Sequence, residues 1–294
     1  MKSLKSLKTP LRYPGGKSKA IKTLSQWYPK VITEYREPFI GGGSIAIDIT
    51  KANPDIPVWI NDLYVPLYNF WIQLRDCGQD LSESVREQKE KMLESGTQDE
   101  KDKFSKELFN QYATEIDTYD DFQKAVAFFI MNKCSYSGLT ENSTFSRTAA
   151  NSNFSLVGAD KLAQFSELIK NWKITNIDYS EVMNADGPEN TFVFLDPPYD
   201  IKDFLYGKNR EMHKKFDHYL FAARVFKCPH KFMITYNVND RLLELYKDYP
   251  LEYWKLRYSM AHRGDKGTDD NVKTELLVTN YPIVPKNSLE EQWN

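Results

Sequence analysis

Short apolar runs alternate with stretches of helical periodicity at both ends of the chain. In the first part, 35–40 and 58–60 have the pattern of short strands, and the segment between them, 44–52, has the spacing of a helix. Further strands are predicted at 172–177, 191–195, 231–236, 252–259 and 274–279, and further helices at 214–226 and 240–246. Such apolar runs bounded by turn residues are typical of buried strands, and their alternation with helices is typical of a wound, mostly parallel sheet. The chain is therefore predicted to have an α/β fold.

The middle of the chain has a different pattern. A mostly polar helical stretch covers 81–112, an apolar helix follows at 122–132, and the Ser-, Thr- and Asn-rich segment 134–153 is predicted to be a surface loop or hairpin. Because this block interrupts the alternation of strands and helices, it is predicted to be an insertion. The predicted division is a first domain made of 1–71 and 156–294, and an inserted domain at 72–155.

Composition favours a folded protein. The chain has 294 residues, of which 41% are hydrophobic, so there is ample material for a core and widespread disorder is excluded. No apolar run is long enough for a bilayer span or a secretory signal, and we expect a soluble, cytoplasmic protein. The three cysteines form no Cys-x-x-Cys, and the four histidines have no metal-ligand spacing. We therefore expect reduced thiols and no metal.

Charge is distributed unevenly, although the formal net charge is only −2. Residues 1–30 contain eight Lys or Arg and no acid, 76–121 contain fourteen acids against six bases, and 201–231 contain eight bases against three acids. Two basic segments therefore flank an acidic middle. Solvated faces of ordinary helices and a surface that binds a polyanion explain this distribution equally well.

A glycine-rich turn follows the first predicted strand and opens the first predicted helix. Gly41, Gly42 and Gly43 allow the backbone to approach a ligand at a helix N-terminus, yet a plain connection is the commoner explanation and the Gly-x-Gly-x-x-Gly spacing is absent. Asp62, nineteen residues after Gly43 at the end of the next strand, strengthens the case for a ligand. A carboxylate there can accept both ribose hydroxyls of a nucleoside-containing cofactor. Its alternative role, capping the helix from Tyr64 onward, is compatible with this one.

The tetrapeptide Asp196-Pro197-Pro198-Tyr199 is the sharpest signal in the sequence. It directly follows the apolar strand 191–195, at the carboxyl end where open α/β sheets bind ligands. Two successive prolines fix φ and remove two amide donors, so the turn presents acceptors. A carboxylate, a proline carbonyl and an aromatic ring side by side would grip an exocyclic amino group while the ring stacks on its base. A proline-rich strand exit is the alternative.

Together these motifs resemble the Dam-type, D12 class of site-specific DNA adenine N6-methyltransferases, in which the cofactor motif precedes the catalytic motif. The resemblance covers nearly the whole chain. The matching segments are 11–17 (LRYPGGK), 37–44, 61–62, 132–139 (NKCSYSGL), 177–179, 196–199, 231–239 and 273–281. The resemblance implies a Rossmann-like methyltransferase sheet, with an inserted, mostly helical target-recognition domain that contains a polar hairpin or loop.

The resemblance also implies the ligands and the site residues. It implies S-adenosylmethionine as cofactor, S-adenosylhomocysteine as product, double-stranded DNA as partner, a role in DNA modification or restriction-modification, and a bacterial or virus-infected cytoplasm. A monomer is expected, with a dimer on DNA as the alternative. The implied catalytic residues are Asp196, Pro197, Pro198 and Tyr199. The implied cofactor-binding residues are Tyr13, Lys17, Glu37, Pro38, Phe39, Gly41, Gly43, Ser44, Asp62, Asp178, Tyr179 and Asp196. The implied DNA-binding residues are Arg12, Asn132, Tyr136, Ser137, Glu141 and Arg147.

One departure from the family pattern concerns the recognised site. In family members that read GATC, an arginine three residues after the Tyr-x-Gly element reaches a guanine, whereas Glu141 occupies that position here. An acid cannot donate to guanine O6 and N7. Either Arg147 or another base takes that role, or the recognised sequence differs from GATC.

Three alternative functions remain open at this point. The acceptor is different in the first: cytosine N4, RNA or a protein amide. The second is a catalytically silent nucleic-acid-binding relative, against which the intact Asp62 and Asp196 argue. In the third, the glycine turn serves another nucleotide cofactor, which the missing dinucleotide fingerprint disfavours.

Overall fold

A central β-sheet organises the computed structural model, which describes residues 6–138, 144–199, 216–257 and 272–283. Its seven strands have the order β3-β2-β1-β4-β5-β7-β6, in which β7 is antiparallel to both neighbours and the pairs from β3 to β5 are parallel. The strands are β1 Glu34–Glu37, β2 Val58–Asn61, β3 Lys173–Thr175, β4 Thr191–Leu195, β5 Lys231–Asn237, β6 Leu251–Arg257 and β7 Val272–Thr279. The predicted wound α/β sheet of Rossmann-like type is confirmed.

Helices cover both faces of this sheet. In the described residues they are α1 Ile21–Leu24, α2 Ser44–Ala52, α3 Val65–Asp76, α4 Gly78–Glu94, α5 Gln98–Glu115, α6 Asp121–Cys134, α7 Arg147–Asn153, α8 Leu156–Ile169, α9 Tyr179–Asn184, α10 His218–Val225 and α11 Asp240–Leu245. The predicted polar helical stretch 81–112 is two helices, α4 and α5. Between them Gly96 has a φ of +107°, and a capping box of Thr97 and Glu100 starts α5.

The prediction of a loop or hairpin over 134–153 is correct only for its first part. Ser135 and Phe145 form an antiparallel bridge, as in a hairpin. The last residues form α7, which begins after Ser146, whose side chain accepts a hydrogen bond from the backbone N–H of Ala149. The small polar residues indicated a loop, but a side-chain cap and the burial of Ala149 and Ala150 favour a helix there.

Alternating side chains of β4 divide the core into two layers. Phe192 and Phe194 belong to a large apolar cluster shared with α3, α4, α6 and α8, whereas Val193 and Leu195 belong to a second cluster with α10 and β7. This alternation follows from the period of two in a strand and explains why β4 is apolar throughout.

The predicted domain boundaries do not coincide with a break in packing. Position 72 lies inside α3, and 155 directly precedes α8. The large apolar cluster is continuous from Ile60 on β2 to Phe129 on α6. The division into a catalytic and an inserted domain stays a prediction. Within the described parts of the chain, no helix is both long and apolar enough to cross a bilayer.

A buried arginine fastens the sheet to the segment after α9. The guanidinium of Arg36 on β1, 1% exposed, donates to the carbonyls of Val182 at 2.9 Å, Ala185 at 2.6 Å and Asp186 at 2.8 Å. It also forms an ion pair with Glu34. The bond to Val182 is fully buried, so its carbonyl would lose its side-chain donor if the arginine were removed.

Arg36→Met is therefore expected to lower the free energy of unfolding by about 3 kcal/mol or more, because it leaves Glu34 and buried carbonyls without their donor. Arg86→Met is the matched control. Its ion pairs with Asp160 and Glu90 are 41% to 48% exposed, so its loss should cost far less than that of Arg36. Urea unfolding of both variants measures the difference, and equal costs would contradict the anchoring role of Arg36.

Candidate active site

The glycine turn predicted between β1 and α2 is closed by aromatic rings. Gly41 and Gly43 have φ values of +46° and +69°, which L side chains rarely adopt. A Cβ at Gly43 would lie 2.6 Å from the ring of Trp71, and one at Gly41 would lie 3.0 Å from the ring of Tyr13. Both conformation and space therefore require glycine at these positions, because the backbone of the turn packs directly against the two rings.

Asp62 stands beside this turn at the end of β2. Its Oδ2 accepts a hydrogen bond from the backbone N–H of Gly41 at 3.2 Å, and its Oδ1 accepts one from the backbone N–H of Tyr64 at 3.0 Å. Burial raises the pKa of the Asp62 carboxyl to about 6, although its backbone hydrogen bonds act in the opposite direction. The bond to Tyr64 lies where the sequence suggested a capping role, directly before α3, and the ribose-binding role of Asp62 stays a prediction.

Asn61 fixes three loops relative to one another, a role that the sequence analysis missed. The Nδ2 of this fully buried residue donates to the carbonyls of Pro38 at 3.1 Å and Ile177 at 3.0 Å. Its Oδ1 accepts from the backbone N–H of Ile177 at 3.0 Å. The loops that follow β1, β2 and β3 are thereby joined at one edge of the sheet. A polar residue at the end of an apolar strand was the available signal.

A cluster of packed aromatic rings lies between the glycine turn and α10. The ring centroids of Phe39 and Tyr179 are 5.3 Å apart, and that of Phe221 is 5.4 Å from Tyr179. Asp178 caps α9 through the backbone N–H of Ser180 and pairs with Arg224 at 3.0 Å. The guanidinium of Arg224 lies 5.2 Å from the ring centre of Tyr179. Flat apolar surfaces edged by a carboxylate suit a purine ring.

Asp196 joins the two ends of the predicted site. The Nζ of Lys17 lies 2.7 Å from Oδ1 and 2.6 Å from Oδ2 of Asp196, and it also donates to the carbonyl of Gly15 at 2.9 Å. Thr235 on β5, which the sequence analysis did not single out, donates from its hydroxyl to Oδ1 at 2.7 Å. The carboxylate is thus held from two sides by residues far apart in the sequence.

Tyr199 is anchored at both its hydroxyl and its ring. Its hydroxyl donates to Oε2 of Glu275 at 2.8 Å, and Glu275 on β7 is 1% exposed. The Nζ of Lys17 lies 5.0 Å from the centre of the ring. Glu275 is a third residue that the sequence analysis missed, since nothing local distinguishes it from other polar residues of an edge-proximal strand.

A family model for D12 class N6 adenine-specific DNA methyltransferases matches residues 13–260. The chain belongs to this family. The resemblance inferred from the motifs is confirmed, and membership of this S-adenosylmethionine-dependent family implies that cofactor and implies DNA as the substrate.

Three similar proteins are type II methyltransferases. M.MjaIII of Methanocaldococcus jannaschii is 24% identical over 293 residues, covering 92% of this chain and 98% of its own length. M1.LlaDCHI of Lactococcus lactis subsp. cremoris is 23% identical over 288 residues, with coverages of 92% and 94%. M.CviBI of Paramecium bursaria Chlorella virus NC1A is 24% identical over 288 residues, with coverages of 94% and 100%. The similarity therefore extends over nearly the full length of each protein.

The residues at the sheet edge fit the cofactor of a D12 methyltransferase. Asp62 supplies a carboxylate beside the glycine turn, and Phe39, which is half-buried, supplies an aromatic ring packed next to Tyr179. The remaining predicted cofactor residues lie at the turn as well. Pro38 accepts from Asn61, Ser44 begins α2, and Glu37 lies buried at the end of β1. No group of three His, Cys, Asp or Glu suited to a metal ion occurs among the residues described.

The predicted DNA-binding residues lie in different environments. Tyr136 is 61% exposed, whereas Asn132 is fully buried and bonded to the backbone of Arg12. Arg147 on α7 pairs with Asp99 at 3.3 Å and with Asp102. The side chain of Ser137 and all of Glu141 lie outside the described residues. Asn132 thus faces the N-terminal motif and not the solvent.

Glu37 is a carboxyl group enclosed beneath the glycine turn. Its Oε2 accepts hydrogen bonds from the hydroxyl of Tyr35 at 2.7 Å and from the backbone N–H of Ala46 at 3.0 Å. Burial, reinforced by the nearby charge of Asp196, raises the pKa of Glu37 from 4.5 to about 8. The group therefore carries a proton at neutral pH.

This shift predicts a pH dependence of stability. Between pH 4.5 and about 8 the folded protein holds a proton on Glu37 that the unfolded chain releases, so the free energy of unfolding falls as pH rises through this window. Glu37→Gln should flatten that fall by on the order of 1 kcal/mol per pH unit. Urea unfolding at several pH values across the window tests this. Glu107→Gln, on the exposed side of α5, is the control and should keep the wild-type slope.

Proposed function

We propose that the protein transfers a methyl group from S-adenosylmethionine to the N6 amino group of adenine in a short duplex DNA site, GATC or a variant of it. The observation that carries this proposal is the placement of Asp196, held by Lys17 and Thr235, next to the glycine turn of a D12 family sheet. An acceptor-rich turn and a cofactor cradle at one sheet edge are what such a transfer needs.

The chemical task of Asp196 and Pro197 is to expose the lone pair of the amino nitrogen. This lone pair is delocalised into the adenine ring, so the nitrogen is a poor nucleophile. The Asp196 carboxylate and the Pro197 carbonyl accept the two amino hydrogens, which turns the nitrogen towards sp³ geometry. The carboxylate also stabilises the positive charge that develops on nitrogen. When bound, S-adenosylmethionine would supply the electrophilic methyl group: its S–C bond would break as the N–C bond forms, S-adenosylhomocysteine would leave, and the methylated nitrogen would then release one proton to water. No covalent enzyme intermediate is required.

Lys17 and Thr235 orient this carboxylate, and Tyr199 supplies the stacking surface. Because the Tyr199 hydroxyl is bonded to buried Glu275, its ring keeps one orientation for a base that has left the duplex. Extruding that base costs a few kcal/mol, which stacking and backbone contacts offset. Pro198, which lies between Pro197 and Tyr199, contributes the rigid φ of the turn.

The cofactor residues divide into those that would contact the cofactor and those that shape the turn. Asp62 accepts the ribose hydroxyls, while Phe39 and Tyr179, with Asp178 at their edge, hold the adenine ring. The residues proposed to shape or line the groove are Tyr13, Glu37, Pro38, Gly41, Gly43 and Ser44. The carboxylates at this edge favour a cationic cofactor.

On the DNA side, exposed Tyr136 and its neighbour Ser137 act at the base stack. Arg12 and Arg147 contact bases or phosphates, and Arg147 must then exchange its ion pairs with Asp99 and Asp102 for DNA. Lysines of the basic segments contact phosphates, which position the protein without specifying sequence. The protein acts as a monomer in this proposal, with a dimer on DNA as the alternative.

Transfer of labelled methyl from S-adenosylmethionine to unmethylated duplex DNA tests the proposal. Digestion should yield N6-methyladenine confined to one short motif, which also establishes whether Glu141 accompanies a departure from GATC. Asp196→Asn removes the negative charge and should lower the rate on the order of a hundredfold or more. Asp160→Asn, at a surface ion pair with Arg86, should retain wild-type activity. Methylated cytosine, RNA or protein, or full activity of Asp196→Asn, would refute the assignment.

The first basic segment predicts the salt dependence of DNA binding. Lys8, Lys19, Lys22 and Lys30 are exposed, and replacing all four with Gln should reduce the slope of log K against log salt by about 0.9 for each phosphate that is no longer neutralised. The matched control replaces four exposed lysines of α4, α5 and the end of α8: Lys91, Lys103, Lys106 and Lys170. Fluorescence anisotropy titrations at several salt concentrations give the slopes. Equal slopes in both variants would contradict this placement of the DNA.

A further inference from the structure

Asn132 joins two segments that are far apart in the sequence. The residue lies near the end of α6 and is 0% exposed. Its Oδ1 accepts a hydrogen bond from the backbone N–H of Arg12 at 2.9 Å. Its Nδ2 donates to the carbonyl of Arg12 at 2.7 Å and to the carbonyl of Gly138 at 2.7 Å. One side chain thus satisfies both backbone groups of Arg12, as a neighbouring strand would, and ties Arg12 to Gly138. We call these three hydrogen bonds the Asn132 bridge.

Further contacts tighten the same junction. The Nζ of Lys133 donates to the carbonyl of Pro10 at 2.6 Å, and the guanidinium of Arg12 donates to the carbonyl of Ser135 at 3.1 Å. A Cβ added at Gly138, whose φ is +76°, would lie 2.1 Å from the carbonyl oxygen of Arg12. The two backbones therefore touch, and a side chain at Gly138 would force them apart.

Each joined segment leads to a different functional element. On one side, Tyr136 lies two residues before Gly138 and is 61% exposed. On the other side, the residue after Arg12 is Tyr13, whose ring packs where a Cβ of Gly41 would lie, and Lys17 is 2.6 Å from Asp196. The hydroxyl of Thr9 also donates to the carbonyl of Gly42. Residues 9–17 thus run from the Asn132 bridge to the glycine turn and the Asp196 carboxylate.

We propose that Asn132 is a positioning residue that couples DNA binding to the methyl-transfer site, an inference that rests on the proposed function. DNA seated against Tyr136 fixes residues 135–138, and the Asn132 bridge carries this constraint to Arg12, Tyr13 and Lys17. The glycine turn and Asp196 are then held in one arrangement when DNA is bound. Because coupling between two sites is reciprocal, DNA and cofactor must strengthen each other's binding by the same factor.

The test measures the dissociation constant of S-adenosylhomocysteine by calorimetry, with and without duplex DNA. This DNA contains the short motif that the enzyme methylates. In the wild-type protein DNA should tighten this binding by about fivefold or more. Asn132→Ala should bind S-adenosylhomocysteine as the wild type does without DNA, lose most of the tightening with DNA, and show a kcat lowered about tenfold. Its preference for the methylated site over a site with one altered base should fall as well.

A second variant keeps the test decisive if Asn132→Ala does not fold. Lys133→Met removes the hydrogen bond to Pro10 and the contact of the ammonium group with the ring of Phe129 but keeps an apolar stem, so it should weaken the coupling in the same direction. Ser82→Ala is the control: it removes a buried hydrogen bond to the carbonyl of Ala159, on α4 and away from the site, and should leave the coupling unchanged.

Several outcomes separate the inference from the proposed function. An active wild-type enzyme without tightening by DNA, variants that keep the tightening, or a Ser82→Ala control that loses it equally would each overturn the coupling role of Asn132. Absence of methyl transfer to DNA by the wild type would refute the proposed function itself, whatever the binding data show.

Discussion

Parallel pairing of β1 with β4 brings the two parts of the site together. With Tyr35 opposite Phe192, the loops that follow these two strands leave the same edge of the sheet side by side. One is the glycine turn and the other begins with Asp196. A slip of β1 by one residue would turn Arg36 away from the carbonyls of Val182 and Ala185 and Tyr35 away from the large apolar cluster, so it is strongly disfavoured. The register of β1 and β4 therefore determines the distance between the glycine turn and Asp196, because each follows directly after one of these strands.

Three carboxyl groups lie close together at this edge of the sheet, and their proximity determines its electrostatics. Glu37, Asp62 and Asp196 all lie at the ends of neighbouring strands. Each carboxyl group has lost hydration, and each is compensated for this loss in a different way. Glu37 takes up a proton, since its pKa is raised to about 8, while Asp62 accepts backbone hydrogen bonds at a pKa of about 6. Asp196 is paired with Lys17. A site with surplus acid and one buried lysine is suited to a cationic cofactor, whose charge completes the balance.

Local signals were sufficient for much of the fold and for selecting the glycine turn, Asp62 and Asp196, which lie at one edge of the sheet, but not for the contacts that support these residues. The bounds of α2 and β4 were predicted to the residue, because an apolar run and a turn signal lie next to each other in the sequence. Asn61, Thr235 and Glu275 were missed as supporting residues, since their partners are remote and are brought close only by the fold. Helix α7 was not predicted, because its Ser and Asn residues are typical of loops. Its cap and the burial of two alanines, which favour a helix, are visible only in the structure.

Helices α3 and α6 connect the region of Tyr136 with the glycine turn by a second route, through the core. Trp71 on α3 closes the glycine turn, both by occupying the space of a Gly43 side chain and by donating its indole N–H to the carbonyl of Gly41 at 3.2 Å. Its neighbour Phe70 stacks on Phe129 of α6 with a centroid separation of 6.1 Å. Helix α6, which ends beside Tyr136, is thus packed against helix α3, which closes the glycine turn. Because close-packed interiors transmit displacements and do not absorb them, α6 cannot shift without disturbing the turn. Residues 9–17 and this aromatic contact therefore constrain the same two elements from opposite sides.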